Sequence, residues 1–308
     1  MQLPGTGFIW FNGQFVPWAD AKVHVATHAL HYGTAIFEGI RAYATPNGPA
    51  IVGLKEHVDR LFQSCAICEM PLKYSHAAVT EAIVESVRKN GHDSCYIRPL
   101  AYRGYAQLGV DPTNCPVELA IATWPHGAHF GDEARAKGVK LGVSSWRRMA
   151  PDTHPARAKA AANYLNSALV IGEARRHGYD DGIALDVDGF VSEGSGNNVF
   201  LVMGGMIHTP SVGSSILSGI TRGYVIRLAK ERGLEVREER VPREMLYTSD
   251  EVFVTGTAAE VTPVASVDGR KVGAGSRGPI TTALQNEYLG IVSGKIPDRH
   301  GWLSLVRS

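Results

Sequence analysis

The amino-acid sequence predicts an α+β protein built from two domains. Two observations carry that expectation. Short strand-like runs mix with amphipathic helical segments without the regular alternation of a βαβ series. The texture also changes across 125–138, a stretch with three glycines, two histidines and no clear periodicity. The expected division is a small N-terminal domain over 1–124, a connecting loop over 125–138 and a larger C-terminal domain over 139–308. A chain of 308 residues favours two domains over one and is long enough for a sizeable core.

Each element follows from local pattern. Ile9 to Val16 reads as two short strands around Asn12-Gly13, a pair that suits a tight hairpin turn. Lys55 to Glu69 carries Val58, Leu61, Phe62, Cys65 and Ala66 at helical spacing, and Ala77 to Lys89 is a second helix closed by Asn90-Gly91. Cys95 to Tyr105 and Val117 to Trp124 read as strands. Beyond the loop, Val139 to Trp146 is a strand and Asn163 to His177 a helix ending at Gly178. Ile183 to Phe200 is a hairpin turning at Asp188-Gly189, and Ile220 to Arg232 is a helix stopped by Gly233. Glu251 to Thr255 is a strand leading into a small-residue turn, and a terminal helix starts at Ile280.

Composition excludes some classes of partner. The 31 basic and 30 acidic side chains leave a net charge of +1, with no basic cluster to serve as a nucleic-acid footprint. Met1 to Gly13 lacks the basic start and apolar stretch of a secretion signal. The longest apolar runs, such as Val199 to Met203, are too short to span a bilayer. The expectation is a cytoplasmic protein with neither nucleic-acid nor membrane partners. Cys65 and Cys68 form a lone C-x-x-C on a helix without a second ligand pair, which suits buried reduced thiols better than a metal or redox pair.

Several segments admit a chemical reading beside a plain one. Leu217-Ser218-Gly219-Ile220-Thr221-Arg222 runs into a helix, where free N–H groups and the helix dipole favour an anion; the plain alternative is a capping turn. Thr255-Gly256-Thr257-Ala258-Ala259-Glu260 has the same small, hydroxyl-rich texture after a strand. Lys159 lies among small side chains that let a ligand approach the backbone, and a partly desolvated lysine suits covalent chemistry; its surroundings fit a solvated helix lysine equally well. Glu193, followed by glycine, is either a carboxylate at a cleft or a turn acid. If 24–31 is helical, His24, His28 and His31 share one face, but without the further ligands of a zinc site a structural role suits them better. Tyr96 and Arg98 alternate onto one face of a strand, where the guanidinium could take a carboxylate in two parallel bonds or form a surface salt bridge.

Together these residues resemble one family. The chain is similar nearly end to end to the bacterial branched-chain-amino-acid aminotransferases, pyridoxal-phosphate enzymes of fold type IV. The similarity rests on Ile9-Trp10-Phe11-Asn12-Gly13, His28-Ala29-Leu30-His31-Tyr32-Gly33, Phe37-Glu38-Gly39-Ile40-Arg41 and Tyr96-Ile97-Arg98-Pro99-Leu100. It continues through Ala158-Lys159-Ala160, Asn163-Tyr164, Glu173-Ala174-Arg175-Arg176-His177-Gly178-Tyr179, Ser192-Glu193-Gly194, Gly219-Ile220-Thr221-Arg222 and Gly256-Thr257-Ala258-Ala259-Glu260. The resemblance implies two α+β domains with the active site between them and the Schiff-base lysine in the larger one.

The resemblance also implies roles. Lys159 would carry pyridoxal 5′-phosphate as a Schiff base and, once released, move a proton between the substrate Cα and the cofactor. Glu193 would pair with the pyridinium nitrogen and Tyr164 with the phenolic oxygen. Arg60, Ile220, Thr221 and Thr257 would hold the phosphate, with Leu217, Gly219 and Gly256 also at the cofactor. The backbone N–H groups of Thr257 and Ala258 would receive the α-carboxylate. Tyr32, Phe37, Gly39, Tyr164 and Ala259 would wall the side-chain pocket, with Val110 entering from a neighbouring subunit.

The implied reaction moves the amino group of leucine, isoleucine or valine to 2-oxoglutarate in two stages. Tyr96, Arg98 and Tyr32 would contact substrate, Arg98 and Tyr32 taking the γ-carboxylate of glutamate. A homodimer with shared active sites, often assembled as a trimer of dimers, is the implied assembly. A D-amino-acid or (R)-amine transaminase of the same fold is the alternative. Two departures stand out: His129 replaces a tyrosine that helps bind the γ-carboxylate, and Asn197 replaces a glutamate. His129 is expected still to donate a hydrogen bond, with more pH dependence than a tyrosine.

Overall fold

A two-residue turn at Asn12-Gly13 sets the first hairpin in the computed structural model, which describes Leu3, residues 5–127 and residues 131–306. Both turn residues have positive φ, 51° and 100°, as the tightest hairpin turn requires. They join β1 (Phe8–Phe11) to β2 (Gln14–Pro17). Next come α1 (His28–Tyr32), β3 (Ala35–Phe37), β4 (Ile40–Thr45), β5 (Gly48–Val52), α2 (Leu54–Ile67) and α3 (His76–Asn90). The long strands β6 (Cys95–Arg103) and β7 (Val117–Pro125) complete the run.

Ser75 caps α3 through its hydroxyl, which accepts the Ala78 N–H, and Gly91 closes the helix in the left-handed conformation. The amphipathic faces of α2 and α3 cover a sheet ordered β5-β4-β6-β7-β1-β2, with β3 beside β6 and Leu303–Leu305 adding an edge strand beyond β5. Leu61, Ile83, Ile97, Leu119 and Ile121 form its fully buried centre.

The second set comprises α4 (Gly131–Lys137), β8 (Val139–Val143), α5 (Tyr164–Arg176), β9 (Asp181–Leu185), β10 (Val191–Gly194), β11 (Asn198–Met203), β12 (Met206–Pro210) and α6 (Ile220–Glu231). It continues with β13 (Val236–Glu239), α7 (Met245–Thr248), β14 (Glu251–Gly256), β15 (Glu260–Val267), β16 (Arg270–Lys271) and α8 (Pro279–Val292); β17 (Leu303–Leu305) is the last element. The sheet order is β10-β9-β8-β15-β14-β11-β12-β13, with β16 beside β15. Its central strands are buried on both faces, which explains their continuous apolar character. Val199, Leu201, Val252 and Val254 belong to one core cluster, while Phe200 and Phe253 stack at 4.9 Å.

Three expectations are corrected. The 125–138 stretch is not all loop, because 131–137 forms α4. The compact units are 1–127 with 158–162 and 292–308, and 128–157 with 163–291. Lys159 therefore folds with the N-terminal unit, contrary to the expected boundaries. The cause is backbone pairing: Ala160 bridges Ile36, and β17 pairs with β5. Lastly, α1 begins only at His28, so His24 lies outside the helix and the three histidines do not share its face. Their ring nitrogens have separate partners: Ala26 N–H for His24, Thr34 Oγ1 and Gly109 C=O for His28, and Val25 C=O for His31.

The four cysteines are free. Burial raises the Cys65 thiol to about 12 and also raises Cys68, so neither is poised as a thiolate.

Candidate active site

Lys159 is held by its backbone from both sides. Its N–H donates to Ser64 Oγ on α2 at 3.1 Å, and its C=O accepts the Phe37 N–H at 3.1 Å. Ala158 and Ala160 are buried against the N-terminal core, which explains the small residues around the lysine. The ammonium lies 5.0 Å from the Phe37 ring centroid. The Arg98 guanidinium stands over the same ring at 4.7 Å and beside Tyr96 and Trp124 at 5.4 and 5.8 Å. Lysine, Phe37 and Arg98 thus form one cluster, and Arg98 lies beside Tyr96 as alternation along β6 predicts.

Gly39 is required for this packing. A Cβ there would lie 2.8 Å from the Tyr96 ring carbon that bears the hydroxyl, and closer still to the oxygen. Tyr96 has little room to retreat, since its ring stacks on Trp124 at 5.2 Å and meets His126 edge-on at 5.3 Å.

Beneath Lys159, α2 presents His57, Arg60 and Ser64 at i, i+3 and i+7, on one helical face. Arg60 is engaged by Glu38. Its Nε donates to Glu38 Oε1 at 2.7 Å and its Nη2 to Oε2 at 2.8 Å, a two-point geometry that fixes the guanidinium plane. His57 Nδ1 is 2.7 Å from Oε2, and the Gly39 N–H donates to the same oxygen at 3.2 Å. Burial alone would raise the Glu38 carboxyl, but the adjacent Arg60 and His57 outweigh it and hold the group well below the usual carboxylate range. Burial pushes the His57 imidazole below its usual value; Arg60 and Lys159 add to this and Glu38 opposes it.

Tyr32 and Val110 occupy a different place. The Tyr32 hydroxyl accepts the Gly109 N–H at 3.1 Å, and the adjoining Val110 is 84% exposed. Leu30, Tyr105 and Leu108 are exposed as well.

In the second unit, residues from β10, β11 and the two turns converge at one end of the sheet. Glu193, on β10, is buried: Arg148 Nη2 contacts its Oε1 at 2.8 Å, while Asn198 Nδ2 and the Leu217 N–H donate to Oε2 at 3.1 and 2.9 Å. Asn198 Nδ2 also donates to the Leu217 C=O at 3.0 Å, and its backbone pairs with Thr255. One asparagine therefore joins Glu193, the 217–220 turn and the start of the 255–259 turn. Gly219 is needed there because a Cβ would overlap Asn198 Oδ1.

Helix α6 starts at Ile220 with no side-chain cap, leaving its first N–H groups for another acceptor. Thr221 is buried within its first turn. The buried Thr255 hydroxyl finds no hydrogen-bond partner among the described residues. Thr257 and Ala258 form the turn tip between β14 and β15, and Ala259 is buried with its C=O accepting Thr262 Oγ1–H at 2.6 Å. Half-buried Tyr164 opens α5. An uncapped helix start, an unused buried hydroxyl and an arginine-held carboxylate suit a phosphate and a protonated ring nitrogen.

Glu38, His57, Ser64, Arg148 and Asn198 were not singled out in the sequence. For α2 a signal existed, a polar stripe at helical spacing beside the apolar face. Nothing local marks Arg148 as the counterion of Glu193. The Asn197 departure gains an account: its Nδ2 donates to Asp181 Oδ2 at 2.8 Å, and both side chains are buried. His129 lies outside the described residues.

The comparisons with known proteins agree with this arrangement. A family model described as amino-transferase class IV matches residues 35–267. The branched-chain-amino-acid aminotransferase of Salmonella typhimurium is 51% identical over 98% of both chains, and that of Pseudomonas aeruginosa 46% identical over 98% of both. The crystal structure of the Escherichia coli branched-chain amino acid aminotransferase superposes with a TM-score of 0.96 at 50% identity, covering 98% of this chain and all of that one. The branched-chain amino acid aminotransferase of Thermobaculum terrenum, solved in its PLP-bound holo form, gives 0.93 at 36% identity over 99% of both chains. This chain belongs to the class IV aminotransferases, among the branched-chain-amino-acid aminotransferases.

Proposed function

We infer that this protein is a pyridoxal-phosphate-dependent transaminase that reversibly transfers the amino group of L-leucine, L-isoleucine or L-valine to 2-oxoglutarate. The observation that carries the reading is full-length similarity to branched-chain-amino-acid aminotransferases in a chain whose Lys159 is pinned between Ser64 and Phe37. When bound, pyridoxal phosphate supplies an electron sink for the bond broken at the substrate Cα.

The chain's own residues do the rest. Lys159 Nζ would hold the cofactor and, when free, would accept and return the proton at the substrate Cα. Glu193, ion-paired with Arg148, would hold a proton on the ring nitrogen. Arg60, the 217–221 segment and the 256–257 backbone would hold the phosphate, and Tyr164 the phenolic oxygen. The Thr257 and Ala258 N–H groups orient the substrate α-carboxylate. Phe37, Gly39, Tyr96 and Ala259 wall the aliphatic pocket, and Arg98 receives the γ-carboxylate of 2-oxoglutarate or glutamate. His129 assists there.

The test is a panel of L-leucine, L-isoleucine, L-valine, D-alanine and (R)-1-phenylethylamine, each with 2-oxoglutarate. Turnover confined to the L-branched-chain acids supports the reading; preference for D-alanine or the amine would overturn it in favour of the D-amino-acid or (R)-amine activity. Lys159→Ala should abolish both turnover and the visible cofactor band.

The assembly we propose is a homodimer in which Val110 completes the partner's pocket, further assembled as a trimer of dimers. The exposed Leu30, Tyr105, Leu108 and Val110 support self-association, since apolar side chains grouped on a surface mark a contact. Sedimentation of the wild type and Val110→Asp tests it, and a monomeric wild type would refute it. No helix among the described residues is long and apolar enough to cross a membrane, and we place the enzyme in the cytoplasm.

A further inference from the structure

Arg60 would bind a phosphate, yet two of its five N–H bonds are already given to a carboxylate. Glu38 is fully buried, at 0% exposure, and accepts from Arg60 Nε, Arg60 Nη2, His57 Nδ1 and the Gly39 N–H. A buried ion pair of this kind is costly to assemble and is a poor source of stability compared with apolar packing. Its geometry is nevertheless restrictive. Two parallel bonds fix the guanidinium plane, and His57, itself buried on α2, blocks rotation of the carboxylate.

The same short region also sets Lys159. Glu38 follows Phe37, whose N–H holds the Lys159 C=O, and the Glu38 N–H donates to Pro99 C=O at 2.9 Å. Helix α2 carries both His57 and Ser64, the latter accepting the Lys159 N–H. Strand β3 and α2 therefore hold the arginine and the lysine in one frame.

We propose that Glu38, braced by His57, is a positioning residue that orients Arg60 toward the phosphate of the cofactor. It touches neither substrate nor cofactor; it acts through the arginine. An unbraced arginine would sample many rotamers and lose entropy on every binding event, whereas the braced one has lost it on folding. The inference rests on the reading of Arg60 as a phosphate ligand, and its test separates the two.

The full-length enzyme is stripped of cofactor and titrated, by absorbance, with pyridoxal 5′-phosphate and with pyridoxal, which lacks the phosphate. The readout is the ratio of the two Kd values. Arg60→Ala should reduce the preference for the phosphorylated form. Glu38→Gln should reduce it too, on the order of tenfold to a hundredfold for loss of a charge-assisted contact, with pyridoxal binding little changed. If Arg60→Ala reduces the preference and Glu38→Gln does not, the positioning role is wrong. If Arg60→Ala leaves the preference intact, the arginine is not a phosphate ligand and both ideas fall. Should Glu38→Gln fail to fold, His57→Asn removes the brace while keeping a polar side chain; it should weaken the preference by a smaller factor, and an unchanged preference would overturn the proposal. Glu38→Asp, which keeps the charge but shortens the reach, should recover only part of the loss.

Discussion

Replacing Gly39 by alanine tests whether the pocket wall is set by contact with Tyr96. The added Cβ would lie 2.8 Å from the ring carbon that bears the Tyr96 hydroxyl. Carbon atoms pack best at about 3.5 Å or more, so the ring carbon must withdraw by about 0.7 Å and the hydroxyl oxygen by more. Trp124 and His126 stand against the ring at 5.2 and 5.3 Å between centroids, so the shift is resisted. Overpacking of this kind costs about 1–3 kcal/mol.

Displacement on the scale of an ångström at a substrate-contacting group can lower the rate about a hundredfold. We therefore expect Gly39→Ala to lower kcat/KM for leucine by one to two orders of magnitude, with a modest fall in Tm. Steady-state kinetics and thermal unfolding would measure both. The double variant Gly39→Ala/Tyr96→Phe isolates the cause: it removes the nearest atom, the hydroxyl oxygen, and leaves the ring carbon. Its loss relative to Tyr96→Phe alone should be smaller than the loss seen in the wild-type background. If Gly39→Ala matches wild type in kinetics and Tm, or the two losses are equal, the contact is not what makes glycine necessary.

Three further outcomes follow from buried charge. Arg148→Met leaves the Glu193 carboxylate without its cation and should destabilise the enzyme by about 3 kcal/mol; a denaturation midpoint equal to wild type would refute the pairing. Glu38→Gln should cost about 3 kcal/mol near neutrality for the same reason. Because the folded Glu38 is held below its ordinary value, its contribution is fully present above its unfolded pKa of about 4.3 and lost as pH falls toward the lowered folded value. The gap between wild type and variant, followed by urea denaturation, should therefore be flat from pH 7 to pH 5 and close below about pH 4; a gap that widens in acid would contradict this. Asn197→Glu would set a second carboxylate against buried Asp181, so Tm should fall at pH 8 and recover as the pH is lowered. A Tm that is independent of pH would sink this account.

How far the sequence reached can be judged element by element. Helix α2 was legible from its apolar spacing, and α3, α5 and α6 from clear stops at Gly91, Gly178 and Gly233. The Asn12-Gly13 turn was legible for a similar reason: its backbone demands positive φ. The short strands β3, β4 and β5 were not assigned, and α4 was taken as loop. Such segments carry too few residues for a period to emerge, and pairing with distant strands stabilises them.

The sequence by itself determined the family and singled out Lys159 and two candidate anion-binding turns, because each is written in contiguous residues. Only the tertiary structure decided which unit holds Lys159 and what surrounds the charged groups. Ser64 reaches Lys159 across 95 positions, and Arg60 reaches Glu38 across 22. Asn198 ties Glu193 to Leu217. These pairings depend on strand register and on which helix face meets the sheet, and local propensity encodes neither. The proposed role of the lysine was thus readable in the chain, while the frame that holds it arose only when β3, α2 and 158–162 packed together.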